Sequence, residues 1–474
     1  MSKVAKNTLI YTIGNILPKA ASFVLLPIYT NYLTPSEYGI LSSMWALEAI
    51  VTIFFSLSLG TSIFRLYWDC ETEDLRKRFL GSIYISIVVS SVVWISLIFL
   101  FQNLIDGIYN SISFYPYFAY SMLTIFITCF FDVPQKVLMI KERASTYVAL
   151  SIIFFIVNST LILYFVVYLK QGAAGYLLAT LIGSALFLPV YIYIAVKNFT
   201  FNFKFSYFKA ALLFALPAIP TLLSSWILDL SDRIFIERYF SLTEVGIYSL
   251  SYKIAGIALI LSASFNLAYR PVFFRLANSE DVSGAKKSIY DFNNLFLILI
   301  LLFFFLLSFF SREVVVLFFD AAYVNAYLYV PVIAFSYFLS VAGGLIARYF
   351  EQSKKMKQNM FIYLLSSVFN IILNFLLIPY LGAFGAAYAT VLSMLFVVVA
   401  GYYYSKKNCF FVEFNWKMLT IVFAALVLTF VFFEFVLVMP IYYSLGLKTL
   451  FALVVSGILL KKYYPLLKSA YQSM

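Results

Sequence analysis

Histidine is absent from the 474 residues, which removes the commonest general base and metal ligand from any reading of the chain. Cysteine occurs three times, at Cys70, Cys129 and Cys409. Their spacing suits neither a metal nor a redox pair, so the thiols read as small space-fillers. Charge is also scarce, at 11% of residues against about a quarter in a soluble protein. With 64% hydrophobic residues and a mean hydropathy of +0.95, water is not the main solvent. No long polar segment interrupts the apolar runs, which excludes a sizeable soluble domain. No nucleotide-binding loop is present, which leaves ATP out as the energy source. Nothing calls for a cofactor.

The chain does hold apolar runs of roughly 20 residues, each able to cross a hydrocarbon core of about 30 Å at about 1.5 Å per residue. The pattern predicts an all-α polytopic membrane protein of about fourteen helices: 8–32, 38–60, 80–101, 116–138, 147–169, 174–196, 208–230, 245–268, 290–311, 326–347, 360–380, 383–404, 417–439 and 443–460. The first run is too long for a cleaved signal and lacks a small-residue cleavage site, so it reads as a spanning helix.

The balance of 33 basic to 21 acidic residues invites a nucleic-acid reading, but the placement of charge argues against one. With a cytoplasmic amino terminus, 26 of the 33 basic residues fall on the inside, four (Lys170, Arg233, Arg238, Arg312) outside, and three (Lys19, Lys253, Lys448) within spans. This is the positive-inside bias of a plasma-membrane protein. It predicts both termini cytoplasmic, the bilayer as partner and no nucleic acid.

The segment Tyr32–Ser42 returns about 207 positions later as Tyr239–Ser249. Gly172-Ala173-Ala174-Gly175 with Ala179-Thr180 returns about 210 positions later as Gly382-Ala383-Phe384-Gly385 with Ala389-Thr390, and each copy runs on to a Lys-Asn pair, Lys197-Asn198 and Lys407-Asn408. A half-length repeat in an apolar chain points to two similar bundles. Six helices separate the copies, so the halves share one orientation, related by a pseudo-two-fold axis along the membrane normal. The expected organisation is a six-helix lobe over 1–200, a second over 201–408, and two additional helices with a tail over 409–474 around a central cavity.

Local chemistry marks the repeats. Thr34 with Glu37, and Ser241 with Glu244, read as helix starts. The Gly175, Ala179, Gly183 ladder, matched by Gly385, Ala389 and Ser393, allows close packing on a neighbouring helix. Pro18 and Pro27 in the first helix, and Pro217 and Pro220 in the seventh, predict bends, either hinges or static kinks.

Ionisable groups inside the spans are costly and face protein or a wet cavity. The first helix carries Thr8, Thr12, Asn15, Lys19 and Ser22 on one stripe, with Lys19 roughly 18 Å deep by helical rise. Glu48 in the second helix reaches a similar depth. Either Lys19 and Glu48 form a stabilising pair, or Lys19 faces a cavity and contacts an anionic ligand while Glu48 tunes it. Lys253 is the second half's buried lysine, beside Gly246, Ser249 and Gly256 on its helix face. Asp229 and Asp232 align with Thr221 and Ser225 on the seventh helix. Asp132 either pairs with Lys136 or, like Glu48 and Asp229, is a candidate for coupling to H+ or Na+. Arg65 and Arg270 close one pair of equivalent helices, Arg143 and Arg348 another. These four arginines are either snorkelling anchors or an inward mouth that grips phosphate in bidentate fashion.

Asn31-Tyr32-Leu33-Thr34-Pro35-Ser36-Glu37-Tyr38-Gly39, then Leu59-Gly60 and Phe64-Arg65-Leu66-Tyr67, with the echo from Asp232-Arg233 to Ser249, resemble the polysaccharide exporter branch of the multidrug/oligosaccharidyl-lipid/polysaccharide flippase superfamily. The resemblance spans about residues 5–405. It implies two six-helix lobes around a V-shaped hydrated cavity that opens alternately to each side, and a flippase rather than an enzyme. The implied substrate is a short glycan on a polyprenyl pyrophosphate, made on the cytoplasmic leaflet and delivered outside for O-antigen or capsule assembly, with a polysaccharide polymerase as a further partner. Its cavity charges vary with the glycan, so it does not fix the site residues. Two rivals stand beside it. A cation-coupled multidrug antiporter of the same superfamily would favour cavity carboxylates, whereas Lys19 and Lys253 lean the other way. A membrane glycosyltransferase or polymerase would carry a large outer loop with catalytic residues, and the outer loops here are short and nearly uncharged.

Overall fold

A chain in hydrocarbon must satisfy its backbone polar groups internally, which leaves helices as the solution for apolar runs of this length. The computed structural model describes Gly14, Pro18 and residues 21–103, 111–433 and 440–454. Among these residues every regular element is a helix and none is a strand. In chain order the main helices are α1 (21–32), α2 (Pro35–Ser56), α3 (Glu73–Leu100), α4 (Phe114–Ile140), α5 (Ala144–Tyr168), α6 (Gly172–Asn198) and α7 (Phe205–Leu230). They continue as α8 (Leu242–Ala277), α9 (Val282–Phe309), α10 (Ala326–Gln352), α11 (Met356–Leu381), α12 (Ala383–Asn408), α13 (Trp416–Val431) and α14 (Ile441–Val454). Eleven of them, α2 to α12, are long and apolar enough to cross a membrane. The fourteen follow the fourteen apolar runs in order, so the chain is an integral membrane protein.

Continuity is where the structure departs from the sequence pattern. The second span does not run to residue 60. It stops at Ser56, because Leu57 and Ser58 take left-handed angles, φ 48° and 53°, a conformation uncommon outside glycine. A short helix, Gly60–Leu66, follows. Helix α7 consists of Phe205–Ala215 and Ile219–Leu230 joined by the tight turn Leu216–Ala218. Pro217 lies inside that joint and Pro220 just after it, and together they withhold two amide donors, which supplies the bend the sequence predicts. Helix α8 is interrupted at Gly256.

The chain divides into two compact units, Met1–Gly246 and Ile247–Met474. In the first, Phe55, Leu59, Ile63, Phe79, Ile83, Met122 and Val133 form the core among α2, the short helix, α3 and α4. Lipid is as apolar as leucine, so this packing rests on close contact rather than on escape from water. Helix α5 turns Ile153, Ile156 and Tyr164 outward, as α11 does with Phe361, Leu365, Ile372 and Phe375 in the second unit.

Each repeat motif has a structural cause. Thr34 and Glu37 form a reciprocal cap at the start of α2, the Thr34 amide donating to Glu37 Oε2 at 2.9 Å and the Glu37 amide to Thr34 Oγ1 at 3.3 Å. The echoing Glu244 amide donates to Ser241 Oγ at 3.2 Å. Gly39 and Gly246, equivalent in the repeat, both lie in the first unit and mark one helix crossing. A Cβ on Gly39 would meet the Leu242 carbonyl, and a Cβ on Gly246 would meet the Pro35 carbonyl. The contact is reciprocal, Pro35 and Gly39 against Leu242 and Gly246.

The second echo is explained inside each unit separately. Gly172 and Gly382 open α6 and α12 with φ +58° and +59°. The turn before α5 holds Glu142 at φ 53°, and the turn before α11 holds Lys354 at φ 56°. Lys141 Nζ donates to Asn198 Oδ1 at 3.0 Å in one unit, and Lys355 Nζ to the Asn408 carbonyl at 2.6 Å in the other. A lysine from the turn thus fastens the end of α6 or α12, through the asparagine side chain in the first unit and the backbone carbonyl in the second. The small-residue ladders are buried as expected, Gly183 against Asn158 of α5 and Gly385 against the α11 backbone at Leu377.

Gly382 has φ 59° and ψ −141°, a region open in practice to glycine alone, so Gly382→Ala should destabilise the protein by about 1–3 kcal/mol. Thermal unfolding of the purified variant measures this, and an unchanged midpoint would refute the assignment.

Candidate functional site

Within the first unit, Glu48 sits half-buried on α2, about one turn from Trp45 of a ring cluster. Tyr38 and Trp45 meet edge-on at 5.8 Å, Trp45 and Tyr176 at 5.7 Å, and Tyr176 and Tyr29 at 5.8 Å. Tyr176 lies within electrostatic reach of Glu48. Trp226 Nε1 donates to the Ala46 carbonyl at 2.6 Å, fixing α7 on α2. Asn15 and Lys19 lie outside the described residues.

The first unit's other candidates are mostly paired. Asp132 and Lys136 form an ion pair one helical turn apart on α4. Gly60 packs directly on that pair, and a Cβ there would strike Lys136 Nζ and Asp132 Oδ2. Arg65 pairs with Asp69, both exposed. Arg143 is exposed at the start of α5. Asp229 is exposed near the end of α7, and its carbonyl accepts a hydrogen bond from Arg233. Arg233 and Asp232 are buried together at 2.6 Å. Glu237, also buried, accepts the Ser111 amide at 3.1 Å.

In the second unit the candidates differ in kind. Lys253 is exposed on the first piece of α8, three positions before the break at Gly256, while Ser249 and Ser251 are buried. Arg270 is exposed and pairs with Glu351 of α10. Arg348 is only 5% exposed, so the snorkelling reading does not hold for it. Its guanidinium donates to Asn266 Oδ1 and lies 4.7 Å from the centroid of the Tyr269 ring, both on α8. Nη1 of Arg348, the Tyr269 hydroxyl and Asn293 Oδ1 have no hydrogen-bond partner among the described residues. A buried guanidinium held by an amide and a ring face, rather than a carboxylate, is suited to receive an anion.

Asn266, Tyr269 and Glu351 escape a reading based on charged residues within spans. The signal available was spacing: Asn266 and Arg270 stand four apart on α8, Arg348 and Glu351 three apart on α10, so each set shares a helix face. Gln352 Nε2 adds a further rung to Asn278 Oδ1 at 2.9 Å.

A cavity of about 300 Å³ in the second unit is lined by apolar side chains of α9, α10, α12 and α13, including Phe304, Phe335, Phe338, Phe423 and Phe430. Its volume lies at the low end for small-molecule sites. Among the described residues, no three Cys, Asp or Glu side chains gather in a way that could hold a metal ion.

Comparison with known proteins places this geometry. Residues 4–277 match the polysaccharide biosynthesis protein family, and residues 217–376 match the MatE family. The Lsg locus protein 1 of Haemophilus influenzae is 23% identical over 282 residues, covering 57% of this chain and 66% of that relative, slightly under two thirds of its length. An uncharacterized membrane protein of Methanocaldococcus jannaschii is 24% identical over 421 residues, covering 84% of this chain and 97% of the relative. Among solved structures, the lipid II flippase MurJ in an inward closed conformation superposes with a TM-score of 0.76 at 15% identity, over 96% of this chain and 100% of that one. An inward-facing multidrug resistance MATE family transporter gives 0.60 at 13% identity, over 87% and 95%. The fold is shared with both, and the family match covers more than half of the sequence. The chain belongs to the polysaccharide biosynthesis protein family, within the superfamily of multidrug, oligosaccharidyl-lipid and polysaccharide flippases.

Proposed function

We propose that the protein moves a polyprenyl-pyrophosphate-linked oligosaccharide repeat unit from the cytoplasmic to the outer leaflet by alternating access, supplying surface polysaccharide such as O-antigen or capsule. The observation that carries this reading is Arg348, a buried cation at the basic end of α10 whose direct contacts are an amide and an aromatic face. Such a group suits the phosphoryl part of a lipid-linked glycan. Each glycan hydroxyl left unsatisfied in hydrocarbon costs several kcal/mol, so a protein path is required while the lipid tail stays in lipid. The apolar cavity between α10 and α13 matches the chemistry of that tail. With the cell interior negative, outward transfer of an anionic head is favoured by about 2.3 kcal/mol per charge per 100 mV. Lys19, Lys253, Arg65, Arg143, Arg270 and Asn15 are the further residues proposed to bind substrate, and a polysaccharide polymerase is the proposed recipient.

A second reading, export of cationic drugs coupled to H+ or Na+, draws on Glu48 and Asp229 in spans of the first unit and on the MatE match. A deletion strain separates the two. Wild-type gene should restore surface polysaccharide, while Lys19→Ala and Lys253→Ala should abolish it at normal protein levels. Wild-type polymer in both variants removes these lysines from the mechanism. Restored dye resistance without any polysaccharide phenotype supports the drug-export reading instead.

A further inference from the structure

At the basic ends of α8 and α10 stand two guanidiniums and one carboxylate, and among the described residues the carboxylate pairs with Arg270 alone. Arg348 and Glu351 stand three apart on α10, facing Asn266 and Arg270 four apart on α8, and the rungs are Arg348 to Asn266 and Arg270 to Glu351. The Arg348 rung is buried, whereas Arg270 is 61% and Glu351 33% exposed in their side chains. No carboxylate lies within ion-pairing distance of Arg348 among the described residues, and its Nη1 is unpartnered. A buried cation with so little compensation is costly, and an arriving anion relieves that cost.

We propose that Glu351 is a resident stand-in for a phosphoryl group: it holds Arg270 in place until pyrophosphate displaces it and bridges Arg270 and Arg348. This rests on the reading of the substrate as a pyrophosphate-linked lipid, and it assigns Glu351 a positioning and competing role. Two planar forks are well matched to phosphate oxygens, each able to give two parallel N–H donors. Displacement of Glu351 also frees the exposed rung that ties α10 to α8 at this end, so ligand binding and loosening of the two helices are one event. The carboxylate excludes weak anions from the two-arginine site, because only a ligand that outcompetes it engages Arg270.

The test is calorimetric titration of inorganic pyrophosphate into the full chain purified in detergent. Glu351→Gln keeps the side chain's shape but removes its charge, and should tighten binding by about fivefold, the scale on which losing an exposed ion pair's competition registers. Arg270→Gln, at an exposed position, should weaken binding by about tenfold or more, and Arg348→Lys likewise because the fork is lost. Unchanged or weaker binding in Glu351→Gln overturns the proposal. So does wild-type binding in Arg270→Gln, a variant that also serves if Glu351→Gln fails to fold. Glycolipid transfer by wild-type protein in liposomes is scored separately: transfer without these pyrophosphate effects sinks this inference and leaves the transport reading intact, while effects without transfer do the opposite.

Discussion

Lys448→Ala should lower the stability of the protein by about 3–5 kcal/mol, the cost of stripping one partner from a buried ion pair. Lys448 of α14 and Glu313 of the short helix Ser311–Phe318 are each 1% exposed in their side chains and 3.0 Å apart. Neither side chain has an unpartnered buried polar atom among the described residues. Lys448 Nζ also donates to the Phe309 carbonyl at 2.8 Å and stands over the Phe309 ring at 5.1 Å, and Ser444 Oγ donates to Glu313 Oε1 at 2.6 Å. Removing the lysine leaves an uncompensated carboxylate in a site closed to water. The double variant Glu313→Leu with Lys448→Leu removes both charges and should recover most of the loss, since apolar replacement of a whole buried pair is often neutral or stabilising. Thermal unfolding of the purified proteins measures both. A single variant as stable as wild type would contradict the geometry, and a double variant as unstable as the single would show that packing, not charge, decides. Because the pair anchors α14, which carries none of the proposed site residues, transport per folded molecule should be unchanged.

Gly39→Leu should be the second large effect, at or above the upper end of the about 1–3 kcal/mol usual for overpacking. Most crowded sites relieve strain by rotating a side chain. Here the opposing atom is the Leu242 backbone carbonyl, and the reciprocal Gly246 faces the Pro35 carbonyl, so relief requires separating two helices along their whole contact. Gly246→Leu should behave alike, because the crossing is symmetric. Gly344 of α10 is the control: no atom lies within 4 Å of a Cβ built there, and Gly344→Ala should be neutral or stabilising by up to about 1 kcal/mol through helix propensity. Equal tolerance at Gly39 and Gly344 would mean that the repeated glycine is not a packing device.

Much of this fold was readable before any coordinates. Apolar length alone set out fourteen helices, because a chain in hydrocarbon has few other solutions. The capping role of Thr34 and Glu37, the ladder packing of Gly183 and Gly385, and the bend at Pro217 and Pro220 all follow from local rules, and local rules survive folding. What escaped was tertiary. Nothing in the apolar run around Leu57 and Ser58 announces a left-handed break, since neither residue is glycine. Glu313 and Lys448 stand 135 positions apart in the chain, and only packing brings them together. The same holds for the site. The four arginines were visible as one class, yet burial divides them: Arg348 is enclosed, while Arg65, Arg143 and Arg270 are exposed. Glu351 lies just past the apolar run of α10, and nothing local in the sequence points to its partner on α8.

The most direct measurement of the central claim is leaflet transfer. Purified protein is reconstituted into liposomes carrying a labelled polyprenyl-pyrophosphate oligosaccharide in one leaflet, and arrival of label in the other is followed with an impermeant glycosidase or quencher. The account predicts transfer well above that of protein-free liposomes, faster when the destination side is positive and slowed by Arg348→Lys. Transfer no faster than in empty liposomes, from protein that accumulates a cationic dye under an ion gradient, would contradict it.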